Sequence, residues 1–195
     1  MESRRAYRKL KKNYMKKLIL LIVSLLFTNL ALAQKYMSKT GRVTFEASVP
    51  LFEDVFAQDD NNVAVINADT GDFASVSVVK NFHFKTKLME EHFNESYAET
   101  AKYPKTTFTG KIVNFDKNKL TSTPQKYTVQ GTLNFHGVNK AYTSNATIYT
   151  KDGKIYMTGG FVARPADHNV TIPKMVTKKI AESVNVQYNY VLSKQ

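Results

Sequence analysis

The 195-residue sequence predicts an all-β fold: eight antiparallel strands, closed into a barrel or stacked as a sandwich, with two short helices. Three observations carry this. Apolar and polar residues alternate with period two in most of eight separate segments, the pattern of strands buried on one face. Clusters of Asp, Asn, Gly and Pro punctuate those segments. Only two stretches change to helical spacing.

The first strand is predicted over 43–49, where Val43, Phe45, Ala47 and Val49 alternate with Thr44, Glu46 and Ser48 until Pro50. The second, 62–67, is a short apolar run between the turn clusters Asp59-Asp60-Asn61 and Asp69-Thr70-Gly71. The third, 73–84, sets Val76, Val78, Phe82 and Phe84 on one face, with Lys80 interrupting it. In the fourth, 106–115, Phe108 and Ile112 share a face and Gly110 marks a bend or bulge. The fifth, 127–135, places Tyr127, Val129, Leu133 and Phe135 opposite Thr128, Gln130, Thr132 and Asn134. The sixth and seventh, 142–150 and 154–159, flank Asp152-Gly153, a two-residue hairpin signal. The eighth, 184–192, alternates Val184, Val186, Tyr188, Tyr190 and Leu192 with polar partners.

One helix is predicted over 86–98, where Leu88, Met89, His92 and Phe93 fall at helical spacing without Gly or Pro. The other covers 173–182, opened by Pro173 and striped by Met175, Val176, Lys179 and Ile180. Strands and helices of this number make one domain with a core of ordinary size.

The net charge of +12 is unevenly spread, since +7 of it lies in the first 17 residues. There Arg4, Arg5, Arg8, Lys9, Lys11, Lys12, Lys16 and Lys17 face Glu2 alone. An apolar run, 18–27, follows, and then Ala31-Leu32-Ala33. This order of basic, apolar and small residues predicts a signal peptide over 1–33, cleaved after Ala33, and a periplasmic or secreted mature domain over 34–195. The apolar run is shorter than the roughly 20 residues a membrane-spanning helix requires. No stable membrane anchor is therefore expected after cleavage. Met15-Lys16-Lys17 resembles an ordinary leader start, so either Met1 or Met15 can be the true one.

Cysteine is absent, which excludes disulfides, thiolate metal sites, thiol nucleophiles and a lipid-modified N-terminal cysteine. The four histidines, His83, His92, His136 and His168, form no HxH or HExxH pattern. They read as scattered, solvated residues, and neither metal nor cofactor is expected. Nor is there a Gly-x-Ser-x-Gly elbow. Glu90, Glu91, Glu95 and Glu99 supply carboxylates, but on an exposed helix face such residues keep the surface wet. Phe82, Phe84, Tyr97, Tyr103 and Phe108 interleave with Lys80, Lys85, Lys87, Lys102, Lys105 and Lys111, as in single-strand binders. The exported compartment and the repulsion of phosphate by Glu90-Glu91 exclude nucleic acid.

Phe45, Phe82, Phe84, Phe108, Leu133 and Phe135 are the alternating apolar positions that face inward. Any barrel requires such residues, so they either fill a closed core or line a slot for an apolar ligand.

Two blocks narrow the choice. Residues 88–111, LMEEHFNESYAETAKYPKTTFTGK, run an acidic, aromatic segment into Tyr103-Pro104 and a strand. Residues 127–140, YTVQGTLNFHGVNK, end a strand in a His-Gly turn. Both resemble the YceI-like family, exported lipocalin-like barrels that hold polyisoprenoid lipids, over most of the chain after residue 40. The opening Met37-Ser38-Lys39-Thr40-Gly41-Arg42-Val43-Thr44-Phe45 lacks the family's Asp and His-Ser, which marks a divergent branch.

The resemblance implies a closed eight-stranded barrel and a non-catalytic role in carrying, sequestering or protecting an isoprenoid-type lipid. It implies that the lipid chain lies among the six inward residues, with Leu88, Met89 and Phe93 forming a lid. The head group would lie at the mouth near His92, Lys102 or Lys105. A homodimer is allowed. The rival readings are a periplasmic enzyme and a barrel packed solid for structural or partner-binding use.

Overall fold

The structure, a computed structural model, describes residues 15–16, 34–52, 54–173 and 180–195. The chain divides into two units, Met1–Ala33 and Gln34–Gln195, and the fold belongs to the second. The leader expected over 1–33 lies outside the described residues apart from Met15 and Lys16. So does the greater part of the helix expected over 173–182.

The strands are β1 (Lys35–Glu46), β2 (Phe56–Asn67), β3 (Asp72–Val78), β4 (His83–Phe84), β5 (Lys105–Ile112), β6 (Gln125–Phe135), β7 (Val138–Lys151), β8 (Lys154–Ala163) and β9 (Val184–Lys194). Eight of them form a closed antiparallel barrel in the order β1, β9, β8, β7, β6, β5, β3, β2, and β1 pairs with β2 to close it. Among the described residues, closure pairs each of these eight strands on both sides. The two-residue β4 pairs antiparallel beside β2, opposite Ala57 and Gln58. One helix, α1 (Lys87–His92), runs on into a π turn (Phe93–Tyr97).

Several boundaries differ from the sequence reading, each for a local reason. Asp59-Asp60-Asn61 is not a turn but lies inside β2, where the β1–β2 register shifts between Ser38 and Val43. Asp59 still accepts the Asn61 N–H at 2.8 Å, the turn-type bond its sequence announces, but here that bond shapes a bulge. Arg42 clips the outside of this seam to Asp60 at 2.6 Å, and its guanidinium holds the Asp60 carboxyl below its ordinary range. Gly110 makes no bulge. It sits in an unbroken ladder opposite Gly131.

The single strand expected over 73–84 breaks at a 3₁₀ turn, Val79–Asn81, around the Lys80 interruption. Strand β8 runs past Gly159-Gly160 to Ala163, because Gly159 admits the Tyr188 hydroxyl. The Asp152-Gly153 hairpin forms as expected, with φ of 51° and 71°.

The interior is layered along the strands. At the end formed by Ile66, Ile112, Ile148, Ile155, Met157 and Leu192 these fully buried side chains fill the barrel. The other half, towards Phe45, Ala57, Leu133 and Val184, is hollow.

Candidate functional site

The hollow half holds a cavity of about 460 Å³. Four phenylalanines shape its mouth. Phe45 lies 5.3 Å from Phe82, 5.6 Å from Phe84 and 5.3 Å from Phe93, ring centre to ring centre, and Phe84 lies 5.1 Å from Phe93. They come from β1, the segment after the Val79–Asn81 turn, β4 and the π turn, so only folding brings them together. Phe108, Leu133 and Phe135 line the next stretch of wall.

Helix α1 lines the cavity and is fastened on its N-terminal side. Thr86 caps it by accepting the Met89 N–H at 3.3 Å. Glu90 accepts the Phe84 N–H at 3.2 Å and stands 3.3 Å from His83 Nδ1. This carboxylate thus ties the helix to β4 instead of serving only to wet a surface. Met89, His92 and Phe93 form the stripe that lines the cavity, at the i, i+3, i+4 spacing of one helix face.

Of the sequence-derived site residues, Phe45, Phe82, Phe84, Met89, Phe93, Phe108, Leu133, Phe135 and His92 line the cavity. Leu88, Lys102 and Lys105 do not. Leu88 is 61% exposed, since a helix with Met89 and Phe93 turned inward points its neighbour outward. Lys102 lies over the Tyr103 ring, 4.9 Å from its centre. Lys105 is exposed at the start of β5, opposite Val78.

The structure adds residues that sequence reasoning missed. Phe161, Arg164 and His168 line the cavity from β8 and the 3₁₀ turn Pro165–His168. Phe161 follows the Gly-Gly pair that reads as a strand end, and Arg164 and His168 sit in an irregular segment. Val184 and Val186, already assigned to an inward face, line it too.

His168 is not solvated but 1% exposed. Its Nδ1–H donates to the Val138 carbonyl at 3.1 Å, and the Tyr142 hydroxyl donates to Nε2 at 3.0 Å. Burial pushes this imidazole below its ordinary value of 6.5, so it is held neutral. His136 is engaged as well, with Nδ1 3.1 Å from the His168 carbonyl oxygen and Nε2 2.5 Å from Glu99 Oε2.

The floor of the cavity is polar. Asn62, Ser75, Ser77, Ser144, Tyr188 and Tyr190 separate it from the packed half of the barrel. Ser144 donates to the Gly160 carbonyl at 2.9 Å and meets the Tyr188 hydroxyl at 2.8 Å. Burial pushes both tyrosine phenols upward, which keeps them as neutral hydroxyls. Among the described residues no cluster of three His, Cys, Asp or Glu side chains is placed to hold a metal ion.

Solved structures share this architecture. A polyisoprenoid binding domain from Saccharophagus degradans, implicated in plant cell wall breakdown, aligns with a TM-score of 0.71 at 16% identity, over 83% of this chain and 98% of that one. BcnA from Burkholderia cenocepacia aligns with a TM-score of 0.65 at 17% identity, over 78% and 96%. The Campylobacter jejuni YCEI protein gives 0.59 at 17% identity, over 75% and 88%. At these identities the likeness is one of fold. No curated protein matches significantly in sequence. The model of the YceI-like domain matches residues 33–192, and by that match the chain belongs to the YceI-like family.

Proposed function

We propose that this protein is exported and, in its mature form, holds an apolar lipid, a polyisoprenoid in the first instance, inside the barrel without transforming it. The observation that carries the reading is the half-hollow barrel. Its cavity of about 460 Å³ falls within the range of pockets that enclose one small ligand. Its upper walls are phenylalanine, leucine and valine, so burial of an apolar chain supplies affinity at about 25 cal/mol per Å². The Saccharophagus domain of the same fold, named for polyisoprenoid binding, supports the choice of lipid.

Binding rather than catalysis suits the polar groups present. Ser77 and Ser144 pair with Asn62, Gly160 and Tyr188 and not with a histidine. His168 is committed on both ring nitrogens. The basic leader, the apolar run and Ala31-Leu32-Ala33 support export to the periplasm or beyond, with release from the membrane after Ala33.

The test is to express the full chain, recover the exported product and record its native mass spectrum, then extract and identify any lipid. A mass beginning at Gln34 with a co-purifying isoprenoid is the expected result, and the same spectrum reports monomer or homodimer. A ligand-free barrel whose melting does not respond to added isoprenoids would leave the partner-binding reading in its place.

A further inference from the structure

Three buried side-chain atoms among the described residues have no hydrogen-bond partner: Asp59 Oδ2, Asn62 Oδ1 and Asn94 Oδ1. Of these residues only Asn62 lines the cavity. It is 3% exposed and projects from the bulged seam of β1 and β2, opposite Gly41. Its amide Nδ2 is committed to Ser77 Oγ at 2.7 Å, which leaves the buried carbonyl oxygen without a donor. A buried acceptor left without a donor costs its full desolvation, and native folds keep such groups where something else completes them.

We infer that Asn62 is the recognition point for the polar end of the ligand. The ligand enters polar end first, and a neutral O–H or N–H group donates to Asn62 Oδ1 at the cavity floor. Its apolar chain then runs outward past Phe108 to the phenylalanines of the mouth. This rests on the lipid-holding reading above and reverses the head-at-the-mouth orientation that the family resemblance implies.

The charge of the end group follows from the surroundings. Ser75, Ser77, Tyr188 and Tyr190 on the floor are neutral hydroxyls. Asp59, fully buried on the same strand as Asn62, offers no positive charge to an incoming anion. Arg164, the cationic side chain on the lining, belongs to the segment after β8 at the mouth. Burying a phosphate or carboxylate at the floor without a cation is costly. The ligand class is therefore a long-chain alcohol or primary amide.

The test compares farnesol, farnesyl methyl ether and farnesyl phosphate on the delipidated exported protein, with affinity read by titration calorimetry. The alcohol is expected to bind about tenfold tighter than the ether, the worth of one well-made hydrogen bond, and tighter than the phosphate. Asn62→Leu should erase the alcohol preference while keeping the ether bound. Equal affinities for alcohol and ether in the wild type overturn the inference and leave lipid holding intact. A phosphate as tight as the alcohol overturns it too, in favour of a head group at the mouth. A preference that persists in folded Asn62→Leu removes the role from Asn62. Binding of none of the three sinks both readings. The wild-type comparison needs no variant, so it holds even where Asn62→Leu fails to fold.

Discussion

Tyr103 lies against His136, with ring centres 4.5 Å apart and planes inclined at 59°. Glu99 holds the same imidazole at 2.5 Å. These two contacts of one imidazole join the two sequence blocks that carry the family resemblance, 88–111 and 127–140. The segment that follows α1 is latched onto the β6–β7 turn.

Gly137 makes that latch possible. Its φ is +75°, and a Cβ there would stand 2.6 Å from Tyr103 Cε1. Gly137→Ala should cost about 1–3 kcal/mol through backbone strain and overpacking combined. In a Tyr103→Ala background the steric part disappears and only the strain remains. A urea double-mutant cycle should therefore show a smaller loss in that background. Equal losses would remove Tyr103 from the account.

Gly159 makes the same kind of room for Tyr188. A Cβ at Gly159 would lie 2.4 Å from the Tyr188 hydroxyl, which meets Ser144 at 2.8 Å. Gly159→Ala should destabilise by about 1–3 kcal/mol. Adding Tyr188→Phe removes the colliding oxygen and should restore part of the loss. Thermal melts of the two variants measure this, and no restoration would place the cost elsewhere in the strand.

Stability should depend on pH through His168. Burial lowers its pKa in the folded state, so below the ordinary value of 6.5 the unfolded chain takes up a proton that the folded one resists. Stability falls as pH drops through 6.5 towards the depressed folded value, and this contribution is flat above it. His168→Gln should flatten that part of the curve in denaturant titrations between about pH 5 and 7. An unchanged slope in the variant would assign the dependence to other groups.

Phe84→Asp should abolish lipid retention, because Phe84 closes the phenylalanine cluster from β4, away from the packed half of the barrel. Leu88→Asp, on the solvent side of α1, should keep it. Lipid extraction from the two purified variants makes the comparison. Loss in both, or retention in both with the fold intact, would dissociate the cavity wall from binding.

Much of the barrel was legible because alternation is a local property. Period two reports burial of one face regardless of which strand lies beside it, so Val129, Phe135, Val186 and Tyr188 could be assigned inward. Local rules failed where one signal serves two structures. Asp59-Asp60-Asn61 makes the same side-chain-to-backbone bond in a bulge as in a turn. Gly159-Gly160 looks like a strand end until Tyr188, far along the chain, is seen to require the space.

The sequence by itself determined most of the strands, the Asp152-Gly153 hairpin, the family and most inward faces. Strand β3 is the exception, where Phe73 and Ser77 are buried and Val78, assigned to the apolar face, is exposed. Only the tertiary structure decided that the barrel is solid in one half and hollow in the other. Volume is a sum over all strands at one level, and the Ile and Met side chains meet at one end while Gly, Ser and Asn share a level with Phe at the other. It also decided that His168 is buried and neutral, that Glu90 is a fastening, and that Asn62 lines the cavity with a buried carbonyl oxygen left without a donor. Each of these depends on which groups arrive from distant segments, and no period or spacing along the chain records that.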